Sequence, residues 1–399
     1  MNILQLSLVC APNWSHGGPP RIMADYANGL AKMGHKVTIY TPKENKPLEE
    51  EQWSGFEDGV TVDYFEKYND WRSSFYFDFS YKEIYQYLVS NIDNIDVIHL
   101  PQTRSLLNVI ALRFSREFNI PIILHSFGSL PARSGFVKSL YDKLFVFPMV
   151  KHSALLLGQT NNELSVYRQF GGKEEAIKLL PLAVDKYGIP ELKDVNIVRQ
   201  EFCQRFNIES NHKLFLFLGR LHPTKGVPLL VESFIEATRN DEQSTLIIVG
   251  NDEGVESNVR SIIAENDADK RVRLCGPLYA DERWAAYQTA DVYVISPNIF
   301  EETPLAAVEA LSTATPVITN LKAELPWLDE YKAGIVMQSD THQELHEAIT
   351  QFVEMDEVEL MNHRNAAYKL FSDKYELTAV CEQLDNYISS IVTLNIKSV

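Results

Sequence analysis

The chain is 399 residues, room for two domains at about 100 to 200 residues each, and its 45% hydrophobic and 23% charged residues exclude a disordered or fibrous chain. Asp and Glu number 54 against 37 Lys and Arg, a formal charge of −17, so most of the surface repels a nucleic-acid backbone and nucleic acid is excluded as a partner. The excess acid lies in one half: residues 1–190 carry 19 basic and 20 acidic side chains, whereas 191–399 carry 18 and 34, which disfavours an anionic partner more strongly on the second half's surface than on the first's.

The opening residues 3–10 are apolar, 12–20 form a Gly and Pro loop, and 21–33 have helical spacing with Gly34 as the stop; a strand over 36–40 and another over 60–65 follow. This strand, helix, strand order implies a parallel sheet. Further strands are expected at 97–100, 122–125, 154–158 and 176–180, with a helix over 106–119. A second series opens with 214–218 and continues through a helix at 228–238, strand 245–249, a helix near 256–265, strand 272–275, helix 284–289, strand 292–295, helix 305–311 and strand 317–319. Helices near 342–353 and 361–370 come next. In the last stretch, 374–391, Leu377, Val380, Cys381, Leu384, Tyr387, Ile388 and Ile391 recur at three and four, giving one face to bury. Residues 185–196, rich in Pro, Gly and charge, suit a linker. The domains are therefore placed at 1–190 and 191–372, both Rossmann-like α/β, with a C-terminal helix in 373–399 packing back toward the first.

Doubly wound sheets bind ligands beyond the carboxyl ends of their strands, and four clusters fall there. The loop His16-Gly17-Gly18 precedes the first helix, where two glycines allow close approach of a diphosphate or sugar, although by itself it is equally a plain turn. It lacks the G-x-G-x-x-G dinucleotide pattern. After strand 122–125, His125-Ser126-Phe127-Gly128 places a histidine where it can donate to a sugar or phosphate, or serve only the core. After strand 214–218, Arg220 and Lys225 can meet one anion, with no Walker pattern around them. After strand 292–295, Glu301 lies in a loop and Glu309 one turn into a helix, while amides at Thr303, Pro304 and Leu305 would face an anion at the helix start.

Taken together, these pieces resemble the retaining nucleotide-sugar glycosyltransferases of family four, with the two-domain GT-B fold. The matching segments run in the family's order: Gly17-Gly18, GLAKMGHKVTIYTP from Gly29, HSFG from His125, FLGRLHPTKG from Phe217, LIIVGNDEG from Leu246, VRLCGPL from Val272 and EETPLAAVEALSTATPVI from Glu301. Glu301 and Glu309, separated by seven residues, are the most diagnostic. The resemblance implies that Arg220 and Lys225 hold the donor diphosphate, Glu309 binds the ribose hydroxyls, Glu301 contacts the transferred sugar, and amides near Thr303–Leu305 add phosphate contacts. It also implies that the backbone at Leu278 meets the nucleobase, His125 reaches the sugar's primary hydroxyl, and Gly17 and Gly18 approach phosphate or acceptor. The donor would be a UDP-sugar or GDP-sugar, with no cofactor and no metal, the cationic pair replacing a divalent ion. Where many relatives read E-G-F-G and N-G-V-D, this chain has Glu301-Glu302-Thr303-Pro304 and Leu182-Ala183-Val184-Asp185.

On the acceptor side, residues 130–151 combine Arg133, Lys138, Lys143 and Lys151 with seven large apolar side chains against one acid, Asp142. This reads either as a segment meeting anionic lipid, with a saccharide or lipid-linked acceptor in cell-surface polysaccharide or glycolipid synthesis, or as a helix pair at the rim of an acceptor cleft. The aromatic stretch 71–87 is either core or acceptor lining. Cys10, Cys203, Cys275 and Cys381 lack metal or redox-pair spacing and read as buried reduced thiols. The start has no signal-peptide pattern, so the protein is expected in the cytoplasm, including the inner membrane face. A nucleotide-sugar epimerase, a sugar phosphorylase and a noncatalytic carbohydrate-binding protein are the rival readings.

Overall fold

The computed structural model describes residues 1–13, 18–43, 55–66, 80–130, 136–185, 194–301 and 303–396. The chain forms two compact units. One comprises Met1–Ala183 with the segment from Leu377, the other Val184–Glu376. The change of unit therefore falls between Ala183 and Val184, one residue ahead of the 185–196 stretch, of which 186–193 lie outside the described residues.

The first unit contains β1 (Asn2–Leu6), α1 (Gly18–Lys32), β2 (Lys36–Pro42), β3 (Val60–Phe65), α2 (Tyr81–Ser90), β4 (Val97–Leu100), α3 (Leu106–Phe118) and β5 (Ile122–His125). These are followed by α4 (Phe136–Tyr141), a π-helical turn at Asp142–Val146, α5 (Phe147–His152), β6 (Leu155–Gly158), α6 (Asn161–Gln169) and β7 (Ile177–Leu179). The sheet is parallel in the order β3-β2-β1-β4-β5-β6-β7, with Leu4 opposite Thr38 on one side and Ile98 on the other. Its strands read as unbroken apolar runs because both faces are covered: Ile3, Val97 and Ile123 face α1, whereas Leu4, Ile98 and Leu124 face α2 and α3.

The second unit contains α7 (Val195–Phe206), β8 (Lys213–Leu218), α8 (Val227–Ala237), β9 (Ser244–Val249), α9 (Glu256–Glu265), β10 (Val272–Gly276), α10 (Ala280–Thr289) and β11 (Val292–Val294). It continues with α11 (Leu305–Ser312), β12 (Val317–Asn320), α12 (Leu328–Tyr331), β13 (Gly334–Met337), α13 (His342–Glu354) and α14 (Glu357–Leu370). The sheet order is β10-β9-β8-β11-β12-β13, again parallel. The chain then returns to the first unit as α15 (Leu377–Ile396), whose Val380, Cys381, Leu384 and Ile388 are buried with Tyr26 and Leu30 of α1. The apolar face expected of 374–391 is thus covered by protein.

Some elements depart from their expected form. Edge strand β13 was not anticipated, being four residues long and ending a short turn. Helix α10 begins four residues before 284, and α14 begins four before 361, started by a capping box between Asp356 and Glu359. Part of the aromatic stretch is α2, capped by Ser80. Its Tyr81, Tyr85 and Tyr87 pack on the core, Tyr87 stacking on Tyr40 at 3.8 Å, so these residues are core, while 71–79 lie outside the described residues. All four cysteines are free thiols; Cys203 and Cys381 are buried and Cys10 and Cys275 half-buried. No helix among the described residues is long and apolar enough to cross a membrane.

Candidate functional site

In each sheet the strand order reverses direction beside the first strand of the unit, between β1 and β4 and between β8 and β11. At such a point the two neighbouring loops part to opposite faces and leave a crevice.

The second crevice gathers the charged residues. After β8 the chain runs through Gly219 and Arg220 to a short 3₁₀ turn, Pro223–Lys225, capped by the His222 ring, which accepts from the Thr224 amide at 3.3 Å. Gly226 then takes φ +71°, and a Cβ there would lie 2.1 Å from the Ser296 carbonyl oxygen, so only glycine lets this loop meet the one after β11. The Asn298 amide donates to the Thr224 carbonyl at 3.1 Å, its side chain donates to Pro223 at 2.9 Å, and the two loops are sewn together. This brings Lys225 and Glu301 into an ion pair with both side chains mostly buried. Arg220 instead turns to Glu253, at 2.7 Å and exposed. The two cations thus rest on separate carboxylates.

Glu309 is buried on α11. Its Oε2 accepts from the Tyr287 hydroxyl at 2.9 Å and its Oε1 lies 3.3 Å from the Arg283 guanidinium. Tyr287 and Arg283 stand four apart on α10, one turn, so both reach the same carboxylate. Below them Tyr293 of β11 donates to the Leu218 carbonyl at 3.0 Å, joining the two strands under the crevice. Burial, then the carboxylate of Glu309, hold the Tyr287 hydroxyl well above its ordinary value, and burial with the field of Glu301 and Glu309 does the same for Tyr293. Both phenols therefore remain donors.

Among the three residues expected to offer amides, Pro304 has no N–H, and its carbonyl already accepts from the Ala307 amide at 3.0 Å. The amide contribution is corrected to Thr303 and Leu305. Thr303 is buried, with a hydroxyl that has no hydrogen-bond partner among the described residues, and Leu305 is exposed at the start of α11, which no side chain caps. Leu278 is buried beyond the turn at Gly276. Glu302 lies outside the described residues.

In the first unit His125 ends β5 with no exposure to solvent. Its ring stacks on Phe127 at 3.8 Å and lies 5.9 Å from His99 and 6.1 Å from Tyr26. Neither ring nitrogen has a partner among the described residues. Burial, and then the neighbouring His99, push its pKa well below the ordinary value, so the ring is neutral with one N–H to give. The loop that follows is held by Glu163 of α6, whose carboxylate accepts from the Ser126 hydroxyl, from the Gly128 amide at 2.8 Å and from the Gln159 amide at 2.8 Å. Gly18 opens α1, while Gly17 lies outside the described residues.

Sequence reasoning missed Arg283, Tyr287 and Glu163. The only signal for the first two was an Arg and a Tyr four apart on the helix ahead of β11; for Glu163 it was an acid three residues after Thr160, the cap of α6.

The family models agree with this architecture. Residues 16–186 match glycosyltransferase family 4 and residues 198–369 match glycosyl transferases group 1, between them most of the chain. The D-inositol 3-phosphate glycosyltransferase of Corynebacterium efficiens is 34% identical over 119 residues, 29% of this chain and 28% of that protein. The alpha-monoglucosyldiacylglycerol synthase of Streptococcus pneumoniae is 24% identical over 306 residues, 73% of this chain and 65% of that one. The chain thus matches less than two thirds of the length of these curated relatives. Among solved structures, Anabaena HepE in complex with UDP superposes with a TM-score of 0.70 at 17% identity, covering 98% of this chain and 100% of that one. A glycosyltransferase from Rickettsia africae gives 0.72 at 15% identity, covering 98% and 99%. The chain belongs to the family-four glycosyltransferases and has their GT-B fold of two Rossmann-like sheets.

Proposed function

We propose that the protein is a retaining hexosyltransferase that moves a sugar from a UDP-sugar or GDP-sugar to a hydroxyl of a saccharide or lipid-linked acceptor. The observation that carries this reading is the Lys225–Glu301 pair at the point where the second sheet reverses its order. A diphosphate entering there would draw Lys225 away from Glu301, and the freed carboxylate is then available to the sugar's hydroxyls. Arg220, on an exposed pair worth little in water, can swing to the same phosphates at small cost. Glu309, with Arg283 and Tyr287 fixing its rotamer, would accept from the ribose diol, and Thr303 and Leu305 would donate to phosphate. The backbone at Leu278 would meet the base, and His125, Gly17 and Gly18 would serve the sugar and acceptor side.

In this reaction the bond between the anomeric carbon and the β-phosphate oxygen breaks, the acceptor oxygen bonds to the same face, and its proton passes to the departing phosphate. Lys225 and Arg220 stabilise the charge gathering on that phosphate, and no divalent ion is required. The organisation of residues 1–190 as acceptor domain and 191–372 as donor domain, and work at the cytoplasmic face of an anionic membrane through 130–151, belong to the same reading. In that segment 131–135 lie outside the described residues.

Incubation with a panel of UDP- and GDP-sugars and hydroxyl acceptors, in buffer with and without chelator, tests it. Release of nucleoside diphosphate with transfer of the sugar is expected in both buffers. Donor conversion without acceptor would point to an epimerase, and binding without turnover to a carbohydrate-binding protein; either overturns the reading.

A further inference from the structure

A cavity of 840 Å³ opens on the first unit, lined by none of the candidate donor-site residues nor by His125, and partly by the segment 130–151. Its walls include Arg116 of α3, Lys143 of the π-helical turn and Lys151 and His152 of α5, and its apolar part includes Phe147 and Phe170, whose rings lie 4.7 Å apart. The one acid in the wall, Asp142, is already neutralised: Arg104 donates to both its oxygens, at 2.7 and 2.8 Å, and the two side chains are buried. Arg116, Lys143 and Lys151 form no ion pair among the described residues. The cavity therefore holds three formal positive charges without a counter-charge in its own wall. Lys151 packs its stem beside Gly171, a glycine that the turn after α6 already requires at φ +81°. His152, bonded to the Ser115 hydroxyl at 2.8 Å, is pushed below its ordinary pKa by burial and then by the charges of Arg116 and Lys173.

Beside the cavity, the same helical segment exposes Leu140, Leu144 and Phe145, with Leu144 57% exposed. Large apolar side chains set next to uncompensated bases match a lipid surface, where acyl chains take the first and phosphates the second. A soluble anion would leave the apolar residues without a role.

We propose that this cavity takes the phosphate of an anionic phospholipid headgroup, held by Arg116, Lys143 and Lys151, while Leu144 and Phe145 enter the acyl boundary. The inference deepens the membrane contact proposed above and rests on that clause alone, independent of the transfer chemistry. It adds Arg116, from outside 130–151, to the membrane surface.

The test is flotation of the full chain with vesicles of phosphatidylcholine, with and without phosphatidylglycerol. Wild-type protein is expected to float with the anionic vesicles and to release as salt rises. The triple variant R116Q/K143Q/K151Q should partition about a hundredfold less, at about fivefold per base. A triple charge control on the second unit, R260Q/K270Q/K369Q, should match wild type, as should the thermal midpoint of the cavity variant. L144S/F145S should also float less. Anionic vesicle binding unchanged in R116Q/K143Q/K151Q would overturn the cavity while leaving the membrane contact standing. Failure of the wild type to bind such vesicles would overturn both, and binding of inorganic phosphate without vesicle binding would give the cavity to a soluble anion and overturn the lipid assignment.

Discussion

The two sheets share a strand order around their reversal points, yet they prepare their polar groups in opposite ways. In the second unit each charged candidate is already matched: Lys225 on Glu301, Arg220 on Glu253, Arg283 on Glu309. In the first, His125 is enclosed, neutral and, among the described residues, without a hydrogen-bond partner. A charge waiting for ligand in a poorly solvated crevice is costly unless another charge holds its place, whereas a neutral imidazole can be kept waiting by stacked rings. One region stores its readiness as exchangeable ion pairs and the other as a rigid, uncharged donor.

The sharpest way to break this contrast is to remove the exchangeable cation. Lys225→Met should lower nucleotide-sugar turnover about 10²- to 10³-fold, the loss seen when one donor to a developing oxyanion is deleted. Unchanged turnover in steady-state assays would show the pair to be structural. The rigid side of the contrast depends on Glu163. Glu163→Ala leaves the Ser126, Gly128 and Gln159 donors without their acceptor and should cost about 1–3 kcal/mol in denaturant unfolding. Glu163→Gln, which keeps an acceptor oxygen, should recover part of it.

Acid offers a third test. The pKa of His99 is pushed down to about 3 by burial, and that of His125 is also depressed. Between about pH 6.5 and 3 the unfolded chain binds a proton that the His99 ring refuses in the folded state, and His125 acts in the same direction. The contribution of His99 to stability is therefore complete above about pH 6.5 and falls as pH drops, by about 1.4 kcal/mol per pH unit. Unfolding midpoints measured from pH 7 to 5 should decline, and His99→Phe should flatten the slope. The smallest effect is expected at Arg220, whose pair with Glu253 is exposed. Arg220→Ala should change stability by less than about 1 kcal/mol while weakening nucleotide binding in calorimetry.

Much of this architecture is legible in the sequence, because both faces of each parallel sheet are covered and runs such as Leu214 to Leu218 have to be continuously apolar. Glu301 is readable for a related reason: it falls in the loop after an apolar strand run, beyond the carboxyl end of a parallel sheet. What stays hidden depends on pairing across long separations. Asp291, clamped by Arg199 at 3.1 Å, Arg364 at 2.7 Å and the Leu214 amide at 2.7 Å, ties α7, β8 and α14 together, yet no local pattern marks any of the three partners. Arg104 and Asp142, 38 residues apart, are similar, and without their pairing Asp142 looks like a counter-charge for the surface bases. Arg283 needs the true start of α10 before it can be seen to face Glu309.

The return of α15 to the first unit has a consequence for the order in which the chain matures. The second unit is one uninterrupted stretch, Val184–Glu376, closed where the Val184 amide donates to the Tyr375 carbonyl at 2.8 Å. The first is discontinuous and lacks Val380, Cys381, Leu384 and Ile388 until synthesis passes them. Although its strands emerge from the ribosome first, its core is the last to be completed, and Tyr26 and Leu30 wait for cover through the making of more than half the chain.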